Sequence, residues 1–424
     1  MRAAILAIGD EIVSGLTLDT NSALVAEALR AVGAEPVGGF SATDDVPVIQ
    51  RALERALEDA ELVVTTGGLG PTADDLTAES VARLAGRELR LHEESLRRIE
   101  ERFRRSERPM PANNRKQALL PEGSTPIPNP LGTAPGFICP VERGGTVRHV
   151  ACLPGVPHEM RRMVEEVLVP WVRARQPGRR FASRVFSTFG LTESALDELL
   201  AGAVRPDEAR LAFRAAFPRL QARVTVSGGP EEDLEGRLDQ LERRARERLG
   251  NHIYAIGDEG MEETVGRLLR EAGRTVAVAE SCTGGLIGSR ITDVPGSSAY
   301  FLLGVIAYSN QAKERLLGVG AETLARHGAV STEVAEEMAE GVRRQAGAEL
   351  GVATTGIAGP GGGSAEKPVG TVCLGLAWEG GAWSRRYQLG SRERDWIKRT
   401  TAQLALDALW RHLLGEDPGG GWSR

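Results

Sequence analysis

The stretch TVAVAESCTGGLIGSRITDVPGSSAYFLLGVIAYSNQAK, Thr275–Lys313, decides how the chain is built. Thr275–Ala279 is an unbroken apolar or β-branched run, the pattern of a strand buried on both faces. It empties into Glu280-Ser281-Cys282-Thr283-Gly284-Gly285, and an amphipathic helix and a second apolar segment follow. A strand that turns tightly into a helix belongs to an α/β sheet. It exposes the turn's side chains at the carboxyl edge of the sheet, beside the free N–H groups of the helix start, which suit an oxyanion or a phosphate. Ser281 is therefore a candidate hydroxyl nucleophile.

Lysine rarity supplies a partner. Only four lysines occur among 52 basic residues: Lys116, Lys313, Lys367 and Lys398. Arginine serves wherever a permanent charge suffices, but it cannot accept a proton near neutral pH. Lys313, five residues past Tyr308, is the candidate base, whereas Lys398 reads as a solvated remnant of an Arg-rich composition. No S-x-x-K motif links Ser281 to Lys313, so their partnership has to be spatial. Cys282 adjoins Ser281 and stays open as an alternative nucleophile.

A chain of 424 residues holds two to four domains, and 41% apolar with 26% charged residues is ordinary for a soluble globular protein. The net charge of −6 and the lack of a long basic run speak against nucleic acid and for small-molecule partners. Cys139, Cys152, Cys282 and Cys373 form no C-x-x-C pair, which suits a reduced, cytoplasmic setting. After Met1-Arg2 the apolar run Ala3–Ile8 is too short for a secretory signal, and no apolar stretch reaches membrane-spanning length.

Residues 1–172 alternate strand and helix signals. Ala3–Ile8 and Glu61–Thr66 read as buried strands, with a helix from Thr20 to Val32 between them. The second strand opens into Gly67-Gly68-Leu69-Gly70-Pro71-Thr72-Ala73-Asp74-Asp75-Leu76-Thr77, a glycine turn before a helix and so a possible phosphate cradle, without Walker or dinucleotide spacing. Asn113 and Lys116 sit in a polar cluster of a long Pro/Gly-rich loop and are candidate phosphate contacts. Strands at Gly136–Cys139 and Val147–Leu153 lead to a third turn, Leu153-Pro154-Gly155, and a helix to about Val172. Three such turns should converge at one edge of a mostly parallel sheet. Residues 173–255, after a linker around Gln176-Pro177-Gly178, read as a small α+β module. Residues 256–416 read as a second α/β/α layer structure with another glycine loop, Thr355-Gly356-Ile357-Ala358-Gly359-Pro360-Gly361-Gly362-Gly363, and residues 417–424 as a flexible tail.

These motifs resemble, over essentially the whole chain, the CinA family of competence/damage-inducible proteins. The last third is similar to a nicotinamide mononucleotide deamidase, through Ala279–Gly285, Tyr308-Ser309-Asn310-Gln311-Ala312-Lys313, Thr355–Pro360 and Lys367–Val372, four motifs in order. The first 170 residues resemble the MoaB/MogA-like molybdopterin-binding fold through Gly9-Asp10-Glu11, Thr66–Thr77 and Leu153–Gly155. The resemblance implies an α/β amino-terminal domain, a KH-like α+β connector and an α/β/α amidase domain. Family habit adds a homodimer.

For the amidase domain the resemblance implies Ser281 as nucleophile and Lys313 as base, with no cofactor. Its binding residues would be Thr283, Gly284, Gly285, Tyr308, Asn310, Thr355, Gly356 and Gly359, with Arg392 or Arg394 for the phosphate. Backbone N–H groups around Thr283 and Gly284 are the oxyanion candidates. Tyr308 either meets the substrate ring or belongs to the core.

For the amino-terminal domain the resemblance implies hydrolysis of ADP-ribose with a divalent metal (Mg, Mn or Co). Asp10, Glu11, Asp44, Asp45, Asp74 and Asp75 are hard oxygen donors at predicted strand ends or turns, with Asp10, Glu11, Asp44 and Asp75 as the metal set beside Gly68 and Gly70. Asp74 or Asp75 could equally be a helix cap. The competing expectations are an interaction protein for DNA uptake, disfavoured because Gly228-Gly229 makes no G-x-x-G clamp, and a molybdopterin-handling protein.

Overall fold

The computed structural model describes residues 1–176, 178 and 180–422, so Pro177 and Arg179 of the expected linker lie outside the described residues. Contacts group the chain into two units, residues 1–182 with 226–235, and residues 183–225 with 236 onward.

In the first unit six strands form one sheet, in the order Glu35–Ala42, Arg2–Ile8, Leu62–Thr66, Thr146–Leu153, Gly136–Arg143, Thr125–Ile127. The first four run parallel, and the hairpin Gly136–Arg143/Thr146–Leu153 turns the far edge antiparallel. Strand periodicity of two explains why both faces are covered. Along Arg2–Ile8, Ala4, Leu6 and Ile8 pack with Ile49, Leu53 and Leu57 of the helix Val46–Asp59. Ala3 and Ile5 pack with Val25 and Leu29 of the helix Asn21–Ala31 and with Met160 and Met163. The three strand-to-helix turns do meet at the carboxyl edge. Gly67 donates to Leu153 O at 3.0 Å, and a Cβ on Gly67 would lie 2.1 Å from Ile8 O, which only glycine permits.

The second unit opens with the α+β module. Its four-stranded sheet runs Arg210–Ala216, Arg219–Gly228, Arg180–Thr188, Ile253–Ile256, with helices Glu193–Ala201 and Leu234–Leu249. The strand Ile253–Ile256, not singled out in the sequence, pairs antiparallel with Arg180–Thr188.

The rest of that unit is a five-stranded sheet ordered Phe301–Ile306, Val276–Glu280, Leu350–Gly356, Thr371–Trp378, Gly381–Gln388. The first three are parallel and the last two antiparallel. Val276 and Val278 face the helices Met261–Ala272 and Arg394–Leu413, whereas Ala277, Ala279 and Ala353 face the helix Thr332–Ala346. Small residues on that second face let helix backbone come close. A Cβ on Gly351 would stand 2.1 Å from Ala339 O, and one on Gly375 2.2 Å from Ala335 O.

The tail is not loose as far as it is described. Gly419 O accepts from Arg385, Gly421 is buried, and Trp422 packs on Phe189 with ring centroids 5.4 Å apart. The indole and the buried glycine turn are what a polar-composition reading of the last residues overlooks.

Candidate active site

Ser281 is the first residue beyond the strand Val276–Glu280, and pairing holds it there: its N–H donates to Thr354 O at 3.0 Å on the neighbouring parallel strand. Lys313 enters from the first turn of the helix Asn310–Leu317, whose start is fixed by Ser309, with Oγ accepting from Ala312 N at 3.1 Å. Lys313 Nζ reaches Ser281 Oγ at 3.1 Å and Ala307 O at 2.9 Å. The 32-residue separation is closed by the sheet, because Phe301–Ile306 pairs directly with Val276–Glu280.

The electrostatics follow from burial. Lys313 is 2% exposed and has no acidic partner among the described residues. Burial lowers its proton affinity below that of an ordinary lysine, and the Cys282 thiol opposes this only secondarily. Cys282 is also buried, and desolvation pushes its thiol up to about 12. Its thiol is thus protonated at rest, and the amine of Lys313 bonds the Ser281 hydroxyl rather than this sulfur, which favours serine over the cysteine alternative.

Ser281, Cys282, Tyr308, Asn310, Lys313, Ala329, Val330, Thr355, Gly356, Ala358 and Arg394 line a cavity of about 210 Å³. Tyr308 is 63% exposed at its mouth, so the core alternative for this residue fails. Arg394 donates to Tyr308 Oη at 2.8 Å and to Gly359 O at 2.7 Å. Arg392 lies outside the cavity, its guanidinium 5.6 Å from the Trp396 ring. The side chain of Thr283 also turns away: fully buried, its hydroxyl shares a hydrogen bond with Thr354 Oγ1 at 2.8 Å. Thr355 Oγ1 donates to Ala329 O at 2.7 Å, which ties the loop carrying Ala329 and Val330 to the strand end.

The N–H groups at the start of the helix Leu286–Thr292 are not all free, because the Glu280 carboxylate accepts from Gly285, Ile287 and Gly288 at 2.9, 3.1 and 2.8 Å. Glu280 is 1% exposed. No hydrogen-bond acceptor meets the amides of Thr283 and Gly284 among the described residues, but Thr283 is fully buried and neither residue lines the cavity, so of the two only the exposed Gly284 is accessible. The signal for Glu280 was available: an acidic residue ending an apolar strand is unsatisfied unless the next turn binds it. Ala329 and Val330 gave none, since only folding carries their loop to the cavity.

In the first unit, Asp75 accepts from Gly70 N at 2.7 Å and Thr72 N at 2.8 Å and from the Thr72 hydroxyl, so its carboxylate closes the glycine loop on itself. Asp45 caps the helix Val46–Asp59 by accepting from Val48 N. Asp10 and Asp44 each accept from the other's amide, at 3.2 and 2.9 Å. Burial raises the Asp44 carboxyl, and the neighbouring Asp10, Glu11 and Asp74 carboxylates raise it further, whereas the Thr72 hydroxyl lowers Asp74. Lys116 donates to Thr72 O at 2.5 Å; Asn113 is exposed, and its buried neighbour Asn114 instead donates to Gln117. Among the described residues no three His, Cys, Asp or Glu side chains are grouped to hold a metal ion. The expected set of Asp10, Glu11, Asp44 and Asp75 therefore does not make a cage, chiefly because Asp75 is committed to the loop.

Comparison with known proteins gives the lineage. Residues 4–174 match the family described as probable molybdopterin binding domain, 183–255 the damage-inducible protein CinA KH domain, and 258–413 the CinA C-terminal domain. A CinA-like protein of Geotalea uraniireducens is 43% identical over 419 residues, covering 98% of both chains. The chain belongs to the CinA family. A second CinA-like protein of the family, from Geobacter metallireducens, is 44% identical over 416 residues, covering 98% of this chain and 100% of that one. The crystal structure of a competence/damage inducible protein from Agrobacterium tumefaciens is 44% identical, covers 36% of this chain and 94% of its own, and superposes with a TM-score of 0.34. The three family matches follow one another along the chain, and no helix among the described residues is long and apolar enough to cross a membrane.

Proposed function

We propose that the carboxyl-terminal module deamidates nicotinamide mononucleotide to nicotinate mononucleotide and ammonia. The observation that carries this is the contact of Lys313 Nζ with Ser281 Oγ at 3.1 Å, made by a buried lysine with no acidic partner among the described residues. A neutral amine there keeps one N–H on Ala307 O and turns its lone pair to the serine hydroxyl. Lys313 takes the Ser281 proton as Oγ bonds to the carboxamide carbon, and the oxyanion meets a backbone amide of the turn that follows Ser281. The lysine ammonium returns its proton to the departing nitrogen, the C–N bond breaks and ammonia leaves a seryl ester. Water then attacks the ester with Lys313 as base, releasing the carboxylate and regenerating Ser281. The pyridinium of the substrate is a nearby cation that lowers the lysine's proton affinity further on binding. Arg394 at the mouth is the group for the remote phosphate. Ammonia release from the mononucleotide by wild type, Ser281→Ala and Lys313→Arg tests this. Near-normal turnover by Lys313→Arg would sink the base assignment, because guanidinium cannot accept that proton.

A second activity belongs to the first unit, with ADP-ribose as the substrate that family membership suggests. It is favoured by the gathering of Asp10, Glu11, Asp44 and Asp74 beside the glycine loop, a concentration of negative charge that a divalent cation would relieve. No metal-borne step is drawn, since those donors form no ready cage. ADP-ribose turnover with and without added divalent cation is the test.

A further inference from the structure

The KH-like module lacks a nucleic-acid clamp, yet it touches the helix that supplies the cavity's arginine. Phe217 lies between the strands Arg210–Ala216 and Arg219–Gly228, 43% exposed, and stacks on Trp396 with centroids 5.0 Å apart and planes 17° from parallel. Trp396 belongs to the first turn of the helix Arg394–Leu413, and its ring also meets the Arg392 guanidinium. Two residues past Phe217, Arg219 pairs with Glu262 at 3.4 Å; Glu262 pairs with Arg290 at 2.6 Å, and Arg290 donates to Gln403 of that same helix at 2.7 Å. The hairpin thus meets the helix start directly and its middle through a chain of charged groups.

We propose that Phe217 is a positioning residue for the amidase cavity, its stack on Trp396 holding the helix start so that Arg394 stays between Tyr308 and Gly359. This rests on the amidase assignment above. A plain packing contact would stabilise the fold without discriminating among kinetic constants. A contact that acts through Arg394 alters binding of the substrate's anionic end equally in ground and transition states, and so changes KM rather than kcat. The module then has a role toward the carboxyl-terminal domain that needs no nucleic acid.

Initial rates of ammonia release from nicotinamide mononucleotide decide it, measured on the full chain with Phe217→Ala and Phe217→Tyr. The expected result for Phe217→Ala is a KM higher by about fivefold, the ratio that one lost aromatic stack corresponds to, with kcat and its pH profile unchanged. Phe217→Tyr keeps the ring and returns KM to the wild-type value. If Phe217→Ala melts below the assay temperature, Phe217→Leu takes its place with the same criterion. An unchanged KM, or a fall in kcat alone, overturns the proposal while leaving the amidase assignment standing. A wild-type chain that neither binds nor deamidates the mononucleotide, by calorimetry and ammonia release, overturns both.

Discussion

Lys313 Nζ stands 3.1 Å from Ser281 Oγ, and burial rather than a charged neighbour is the main cause of its weakened hold on a proton. Two consequences differ in sign from those of a surface lysine. Deamidation should rise with pH until Lys313 is neutral and then level off, on a limb absent from any residual rate of Lys313→Met. Stability should move the same way. Because the folded proton affinity lies below the unfolded one, the unfolded chain binds more protons between the two values, and folding strengthens as pH rises through that window toward the unfolded lysine value. The melting-temperature advantage of Lys313→Met over wild type is therefore greatest at the low-pH end of that window and shrinks toward pH of about 10; an advantage that grows with pH would contradict the assignment.

The Glu280 carboxylate accepts three bonds that define the turn carrying Ser281. Glu280→Gln keeps the shape but presents an amide N–H₂ where an acceptor is needed. The expected cost is about 2–4 kcal/mol in unfolding free energy, from losing charge-assisted bonds and leaving buried N–H groups unpaired. Activity should fall through kcat, because the turn that is displaced carries Ser281. Urea unfolding and steady-state kinetics on the same preparation check both.

Asp75 predicts a different pattern for the first unit. Asp75→Ala frees the N–H groups of Gly70 and Thr72, so the loop opens, with a stability loss of roughly 1–3 kcal/mol. ADP-ribose turnover should disappear in this variant and in wild type treated with chelator, whereas ammonia release from nicotinamide mononucleotide survives both. A deamidase lost on chelation would overturn the metal-free Ser–Lys reaction.

Much of the fold and the residues of the Ser281–Lys313 contact were legible because both depend on local pattern. Apolar runs ending in glycine turns mark strands whose carboxyl ends share an edge, and Lys313 stood out by lysine's scarcity. What was not legible depends on partners distant in sequence. Whether Thr283 faces substrate or Thr354, and whether Asp75 faces a metal or its own loop, is decided by hydrogen bonds formed only after the chain closes. Arg392 and Arg394 differ by two residues at a helix start. Only the packing of Trp396 shows that one meets an indole and the other reaches the cavity.

That difference gives the last prediction. Arg394 bridges Tyr308 and Gly359 at the mouth, whereas Arg392 is not among the residues that line the cavity. Arg394→Ala should raise KM for the mononucleotide by about tenfold or more, the effect of losing a charge-assisted contact to phosphate. It should change KM for the riboside, which lacks the phosphate, far less. Tyr308→Phe removes only the hydroxyl that Arg394 bonds, so a smaller KM increase is expected, in the same direction and again specific to the phosphorylated substrate. Arg392→Ala should leave both substrates within about twofold, as for a solvated surface charge. If Arg392→Ala raises KM for the mononucleotide and Arg394→Ala does not, the phosphate lies on the other side of the helix start, and the mouth between Tyr308 and Gly359 has to be reassigned.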